Sequence, residues 1–311
     1  MPFFRFAVRY SLLLLVGLIA CTKQSEQVAQ PRTVTDVLLE DSRFTLLRQY
    51  VAIAGLNDAL KSSNLTLFAP TDSAFQASGV SVAGLSRDQV RDLLLYHVLL
   101  TNLSTSSIPA GQNVVQTANG GTATLSTASD GSLRLNNATV SPAPIQAANG
   151  SVYPINRVLT PSKGSLTATI RANPNLTFLA AVLTRIAPTN AALAAQFDGS
   201  NPSAGSITVF APTNAAFQSA GYANLSAIQT ANAQTLANLL SYHATSGSVY
   251  SNQLQTGSIG TLLAGNRLAV TVTGTFITLK GNRNTTLARI TTPDVQASNG
   301  VLHLIDTVLL P

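Results

Sequence analysis

Thr66-Leu67-Phe68-Ala69-Pro70-Thr71-Asp72-Ser73-Ala74-Phe75-Gln76 returns as Thr208-Val209-Phe210-Ala211-Pro212-Thr213-Asn214-Ala215-Ala216-Phe217-Gln218, with eight of eleven positions identical. Two further echoes follow in the same order. Leu94-Leu95-Tyr96-His97 corresponds to Leu240-Ser241-Tyr242-His243, and the stretch from Asn149-Gly150 to Pro161 corresponds to that from Asn299-Gly300 to Pro311. Three ordered echoes at a spacing near 145 residues mean two homologous globular domains, since solenoid repeats are far shorter.

Outward from these motifs, each copy reads first as helix. Val37, Leu38, Phe44, Leu46, Leu47, Tyr50, Val51 and Ile53 recur near the helical period, as do Leu176, Phe178, Leu179, Val182, Leu183 and Ile186 in the second copy. A short strand follows at residues 65–69 or 207–211, stopped by proline, and Thr71 and Thr213 then stand where helix N-caps belong. Residues 87–99 and 230–243 are expected as the next helix of each copy, ending at Tyr-His. The rest is β: apolar-polar alternation at residues 268–273 and 276–279 is interrupted by Gly274 and by Gly281-Asn282. Asn149-Gly150 and Asn299-Gly300 suit a type I′ hairpin turn. The offset between copies grows from 142 at Phe-Ala-Pro-Thr to 146 at Tyr-His and 150 at Asn-Gly, so the extra residues fall between elements. A Gly/Ser/Asn/Pro-rich stretch at residues 198–206 reads as a loop, and Ser162-Lys163-Gly164-Ser165 as a short linker.

The first twenty residues read as an export signal. Arg5 and Arg9 precede an apolar run from Ser11 to Ala20, too short to span a bilayer. The run ends at Leu18-Ile19-Ala20-Cys21, which resembles the lipobox of bacterial lipoproteins. That resemblance implies cleavage before Cys21, the chain's only cysteine, and acylation of its new N-terminus. Multiple acyl chains give stable anchoring where one does not. Residues 21–31 then form a polar tether. The expected layout is a signal peptide at 1–20, a first domain at 32–161, a linker at 162–165 and a second domain at 166–311. The location implied is the cell envelope, on the outer membrane, facing either the surface or the periplasm.

Removing the leader leaves sixteen basic against twelve acidic side chains. Residues 32–161 are balanced at eight each, whereas residues 162–311 carry seven basic and three acidic, partly through Arg267, Lys280, Arg283 and Arg289. This surplus is too sparse for a nucleic-acid groove but could draw an anionic glycan or lipid headgroup.

Catalytic material is scarce. Only Glu26 and Glu40 are glutamates, and the sequence holds no nucleophile elbow, phosphate loop or Cys/His zinc spacing. Asp88 and Asp92 interleave with Arg87 and Arg91 as a solvated helix face. His97 and His243 occupy equivalent places in separate domains, and His303 lies between Val301 and Ile305 on an inward strand face. All three read as buried, hydrogen-bonded histidines rather than metal ligands or bases. No metal, cofactor or enzymatic activity is expected.

Together the three motifs resemble the fasciclin (FAS1) domain, in two copies over about residues 32–311. The resemblance implies an α+β fold, each domain a β-sandwich-like wedge with a helical layer. It also implies exported or anchored proteins used in cell adhesion and matrix contact; the partner expected is a surface glycan, a matrix protein or a neighbouring cell, and the sparse charge argues against nucleic acid. Within that family the Tyr-His motif is the adhesion candidate, so Tyr96, His97, Tyr242 and His243 are carried over as binding residues. The first copy departs at its close: Tyr153-Pro154 replaces His303-Leu304, Asn156 replaces Asp306, and Pro144 stands for Asp294. Pro154 cannot donate to a ladder, which predicts an edge or bulge there. Two other functions are compatible with export: an extracellular hydrolase of polysaccharide or ester linkages, and a periplasmic structural or folding-helper protein.

Overall fold

The computed structural model describes residues 31–311 apart from 105–107, 110, 129 and 275. The leader, Cys21 and nearly all of the tether lie outside the described residues. Residues 32–311 form one unit. Among the described residues, no helix is long and apolar enough to cross a membrane.

The first copy opens with α1 (Val34–Glu40) and α2 (Thr45–Ala54), then β1 (Leu65–Pro70), α3 (Asp72–Ser78) and α4 (Arg87–Leu95). Seven strands follow: β2 (Val98–Leu99), β3 (Gln112–Gln116), β4 (Thr122–Thr127), β5 (Leu133–Leu135), β6 (Ala138–Val140), β7 (Ile145–Ala147) and β8 (Gly150–Ile155). The second copy runs α5 (Leu166–Ala172), α6 (Thr177–Ile186), α7 (Ala191–Asp198), β9 (Ile207–Pro212), α8 (Asn214–Ser219), α9 (Leu225–Thr230) and α10 (Ala233–Tyr242). It closes with β10 (Ala244–Ser246), β11 (Gly257–Gly260), β12 (Arg267–Thr273), β13 (Phe276–Lys280), β14 (Ala288–Ala297) and β15 (Gly300–Ile305).

The sheet orders correspond: β2-β1-β8-β6-β5-β4-β3 in one copy and β10-β9-β15-β14-β13-β12-β11 in the other. In each, the Phe-Ala-Pro strand pairs in parallel with the closing strand, β1 with β8 and β9 with β15. These strands are buried at every position, so their sequences are continuous apolar runs rather than alternating ones. Side chains still alternate between two cores. Leu65, Leu67 and Ala69 pack with helical residues such as Val37, Leu47 and Leu93, whereas Phe68 packs with Tyr96, Tyr153 and Leu125 among the strands. Val209 and Phe210 divide the same way in the second copy. The fold is α+β, as the resemblance implies.

Thr71 and Thr213 are N-caps, accepting from the N–H groups of Ala74 and Ala216. Asp72 has a further role: its Oδ1 accepts from Leu46 N at 2.9 Å, tying α3 to the first turn of α2. Asn214 makes the equivalent bond to Phe178 N. Ser165, at the end of the expected linker, caps α5.

Three local expectations need correction. The helices expected at 87–99 and 230–243 are shorter. α4 ends at Leu95 because Val98 and Leu99 pair with β1, and Asn232 caps a separate helix, α10, after α9 has ended. Asn-Gly does not form a type I′ turn. The two-residue loops are Ala148 with Asn149 and Ser298 with Asn299, and neither asparagine has positive φ. Glycine is required at 150 and 300 for a different reason. A Cβ there would lie 2.1 Å from the carbonyl oxygen of Leu65, or 2.0 Å from that of Ile207, so the parallel partner strand leaves no room. The asparagine works as a clip. Asn149 accepts from Val34 N and donates to the carbonyls of Leu60 and Ser62, and Asn299 accepts from Leu166 N and donates to those of Gln196 and Phe197. Finally, of the two placements expected for Pro154 the edge is wrong, since the strand is interior, and an interruption of the ladder is what is found. Pro154 occupies the gap where β8 stops pairing with β7 and before it meets β6, so its missing N–H breaks no ladder bond on that side. The second copy instead has one long strand, β14, bulged around Asp294 at φ 62°.

Candidate functional site at the domain junction

The Tyr-His pairs are interior. Tyr96 and His97 are 1% and 0% exposed, Tyr242 and His243 0% and 2%. His97 donates from Nδ1 to Leu93 O at 2.8 Å, and its Nε2 accepts from Leu159 N at 2.9 Å. His243 repeats the arrangement with Leu239 O and Leu309 N at 2.7 and 2.8 Å. Each imidazole therefore clips the end of a helix to the segment after the closing strand, as the neutral Nδ1–H tautomer. Burial lowers both histidines to a pKa of about 4. Tyr96 donates to Thr122 O and Tyr242 to Arg267 O; burial pushes the Tyr96 hydroxyl up to about 12. In this conformation none of the four side chains is exposed to a macromolecular partner.

Carboxylates are committed elsewhere. Glu40 pairs with Arg32, Asp41 with Arg43 and Asp58 with Lys61, while Asp36 and Asp72 hold helix N-termini. Among the described residues, no group of three or more His, Cys, Asp or Glu could hold a metal. Ser251, Asp294 and His303 do converge, but not as a nucleophile, base and orienter. Ser251 donates to Asp294 at 2.6 Å, whereas His303 is 0% exposed, sits 3.9 Å from that carboxylate and donates from Nε2 to Val249 O. The hydroxyl has no hydrogen bond to the imidazole that general-base activation requires.

That cluster instead shapes residues 248–253, the segment by which the second domain meets the first. Asp294 accepts from both Ser251 N and Oγ, Gln296 accepts from Tyr250 Oη at 2.6 Å, and His303 holds Val249 O. The segment then reaches across. Gln112 donates to Ser248 O, Arg134 to Asn252 O, Asn252 to Asn137 O and Gln253 to Ser126 Oγ. Tyr250 is 1% exposed, beside Tyr96 and Thr124 of the first domain, and burial together with the Tyr96 hydroxyl raises its pKa. The first copy keeps the His303 bond by other means, Tyr153 donating to Leu103 O at 3.0 Å, but has Pro144 for Asp294 and Ser104 for Tyr250. Of the residues that shape this segment, Asp294 and His303 differ from their first-copy counterparts Pro144 and Tyr153, while Gln296 is shared as Gln146.

Beside the junction lies an open cleft of about 590 Å³. Its walls include Arg157 from the first domain with Ser251, Asn252, Phe276, Arg289 and Thr291 from the second. The Arg289 guanidinium lies 4.0 Å from the centroid of Phe276, a ring that is 50% exposed. Arg289 belonged to the basic surplus read from the sequence; Arg157, Tyr250 and Phe276 were not singled out, and only the contrast of Pro144 with Asp294 hinted at the junction.

Residues 42–161 and 189–311 each match the Fasciclin domain family, and together they make up well over half the chain. This protein belongs to that family, as a tandem pair of fasciclin domains. It is similar to the transforming growth factor-beta-induced protein ig-h3 of Sus scrofa, 28% identical over 83% of this chain and 35% of that protein. Two bacterial proteins are also similar: sll1483 of Synechocystis, 38% identical over 34% of this chain and 56% of that protein, and immunogenic protein MPB70 of Mycobacterium bovis, 34% identical over 34% and 51%. The chain thus spans only about a third to a little over half of the length of these relatives. A FAS1 domain pair from the insect cell adhesion molecule fasciclin I aligns with a TM-score of 0.42 at 18% identity, covering 85% of this chain and 97% of that one.

Proposed function

We propose that this chain is a lipid-anchored adhesion module of the cell envelope, in which two fasciclin domains present non-catalytic contact surfaces. The observation that carries this reading is the Fasciclin match in two segments, which gives nearly the whole exported part to a module whose resemblance implies adhesion. The geometry supports it, because histidines and most carboxylates are consumed by internal hydrogen bonds and ion pairs, leaving exposed loops and the junction cleft for contact. Acylation of Cys21 fixes the base, and residues 22–31 hold the pair away from the bilayer. Weak contacts gain avidity when many chains share one surface.

The test is attachment. Cells carrying the chain, cells lacking it and cells with Cys21→Ala are allowed to settle on glycan- and matrix-coated surfaces under flow. Retention lost in the second and third strains supports the proposal; equal retention in all three contradicts it.

A further inference from the structure

We propose that the cleft at the domain junction is a binding site for an acidic glycan, one carrying uronate or sulfate groups. This rests on the adhesion reading and names the chemistry of its contact. Two cations from different domains, Arg157 and Arg289, line one cleft, and among the described residues neither guanidinium has a carboxylate partner. Asp306 accepts from the backbone N–H of Arg289 and from Thr307, not from its guanidinium. Asp294 lies below Ser251 with its oxygens taken by that residue's N–H and hydroxyl. Phe276 holds the Arg289 guanidinium against its ring, which limits its rotamers while leaving its N–H groups for a planar anion.

The rest of the cleft matches a sugar better than a peptide. Ser251, Asn252 and Thr291 supply hydroxyl and amide groups around an apolar floor that includes Leu254, Ile277 and Ile290. A peptide would bind this region by adding a strand to β14, whose pairing with β13 stops after Arg289. Pro293 sits in that unpaired stretch and cannot donate to such a ladder. The volume of about 590 Å³ falls within the range of small-ligand clefts. The basic surplus of residues 162–311 adds a long-range attraction for polyanions.

The experiment is calorimetric titration of the full chain with a sulfated oligosaccharide, an oligouronate, a neutral oligosaccharide of equal length and a poly-glutamate peptide. Arg157→Ala, Arg289→Ala, Phe276→Ala and Arg171→Ala are compared; Arg171 is on α5, outside the cleft, and removes the same charge. The expected result is binding of an acidic glycan, weakened about tenfold or more by either cleft arginine variant, the loss expected for a charge-assisted contact. Phe276→Ala lowers affinity in the same direction, Arg171→Ala leaves it unchanged, and the neutral sugar does not bind. Equal weakening in Arg171→Ala would mean unspecific charge attraction and overturn the site. Equal binding of poly-glutamate would overturn the glycan, and absence of binding by both acidic glycans would overturn the proposal. In the last case, attachment that persists with Arg157→Ala and Arg289→Ala would leave adhesion standing without this cleft.

Discussion

Lowering the pH from 7 to 5 destabilises this protein through its buried histidines. In the unfolded chain an imidazole titrates near 6.5; folded, His97 and His243 titrate at about 4. Protonation would put a hydrogen on Nε2, which faces the N–H of Leu159 or Leu309 at 2.9 or 2.8 Å, inside an environment that penalises charge. The unfolded state therefore binds more protons across this window, and stability rises with pH. The stabilisation is fully present above about pH 6.5 and is lost as pH falls towards 4. Each full shift is worth roughly 3 kcal/mol, of which about 2 kcal/mol is lost between pH 7 and 5. His303 adds to the loss in the same direction, since burial also lowers its pKa. Carboxylates do not obscure the window, because those that shift move down from 3.8. The assay is urea denaturation at half-unit steps from pH 4 to 8, on the parent, His97→Gln and His243→Gln. Each variant loses stability at pH 7 and also flattens the slope below 6.5 for its own domain. A parent stability constant from pH 7 to 5, or a slope untouched by both variants, would refute the internal clip.

Other consequences are as direct. Gly300→Ala puts a methyl group against the Ile207 carbonyl and costs on the order of 3 kcal/mol or more, checked by thermal melting; an unchanged midpoint would refute the close approach. Asp72→Ala leaves Leu46 N without its acceptor and costs about 1 kcal/mol in the first domain alone, visible in the same melts. Tyr250→Ala removes the buried ring that meets Tyr96 and Thr124 across the junction, so calorimetry is expected to show the two domain transitions further apart than in the parent; identical traces would contradict its role.

What the sequence made legible is what depends on neighbours in the chain. The proline after Phe68-Ala69, the caps at Thr71 and Thr213 and the inward face of His303 follow from local chemistry, and the repeat itself supplied the domain count. Long-range pairing was not legible. The helix expected to run to Leu99 stops at Leu95 because β2 is drawn onto β1, a contact between segments over thirty residues apart in sequence. Asn149 and Asn299 looked like turn formers, yet they clip helix starts 115 and 133 residues away. The junction was harder still. Tyr250 is an ordinary tyrosine until Thr124 and Tyr96 of the other domain are beside it, and Arg157 joins Arg289 only when two folded domains meet.

Adhesion as proposed requires the two domains to face outward from the cell, and protease shaving of intact cells reads that orientation. Cells are treated with a non-permeant protease, then blotted for this protein and for a periplasmic control. The expected result is digestion of this chain while the control survives. Protection on intact cells, with digestion only after lysis, would contradict surface display and turn the pair inward, to a structural or folding role in the periplasm.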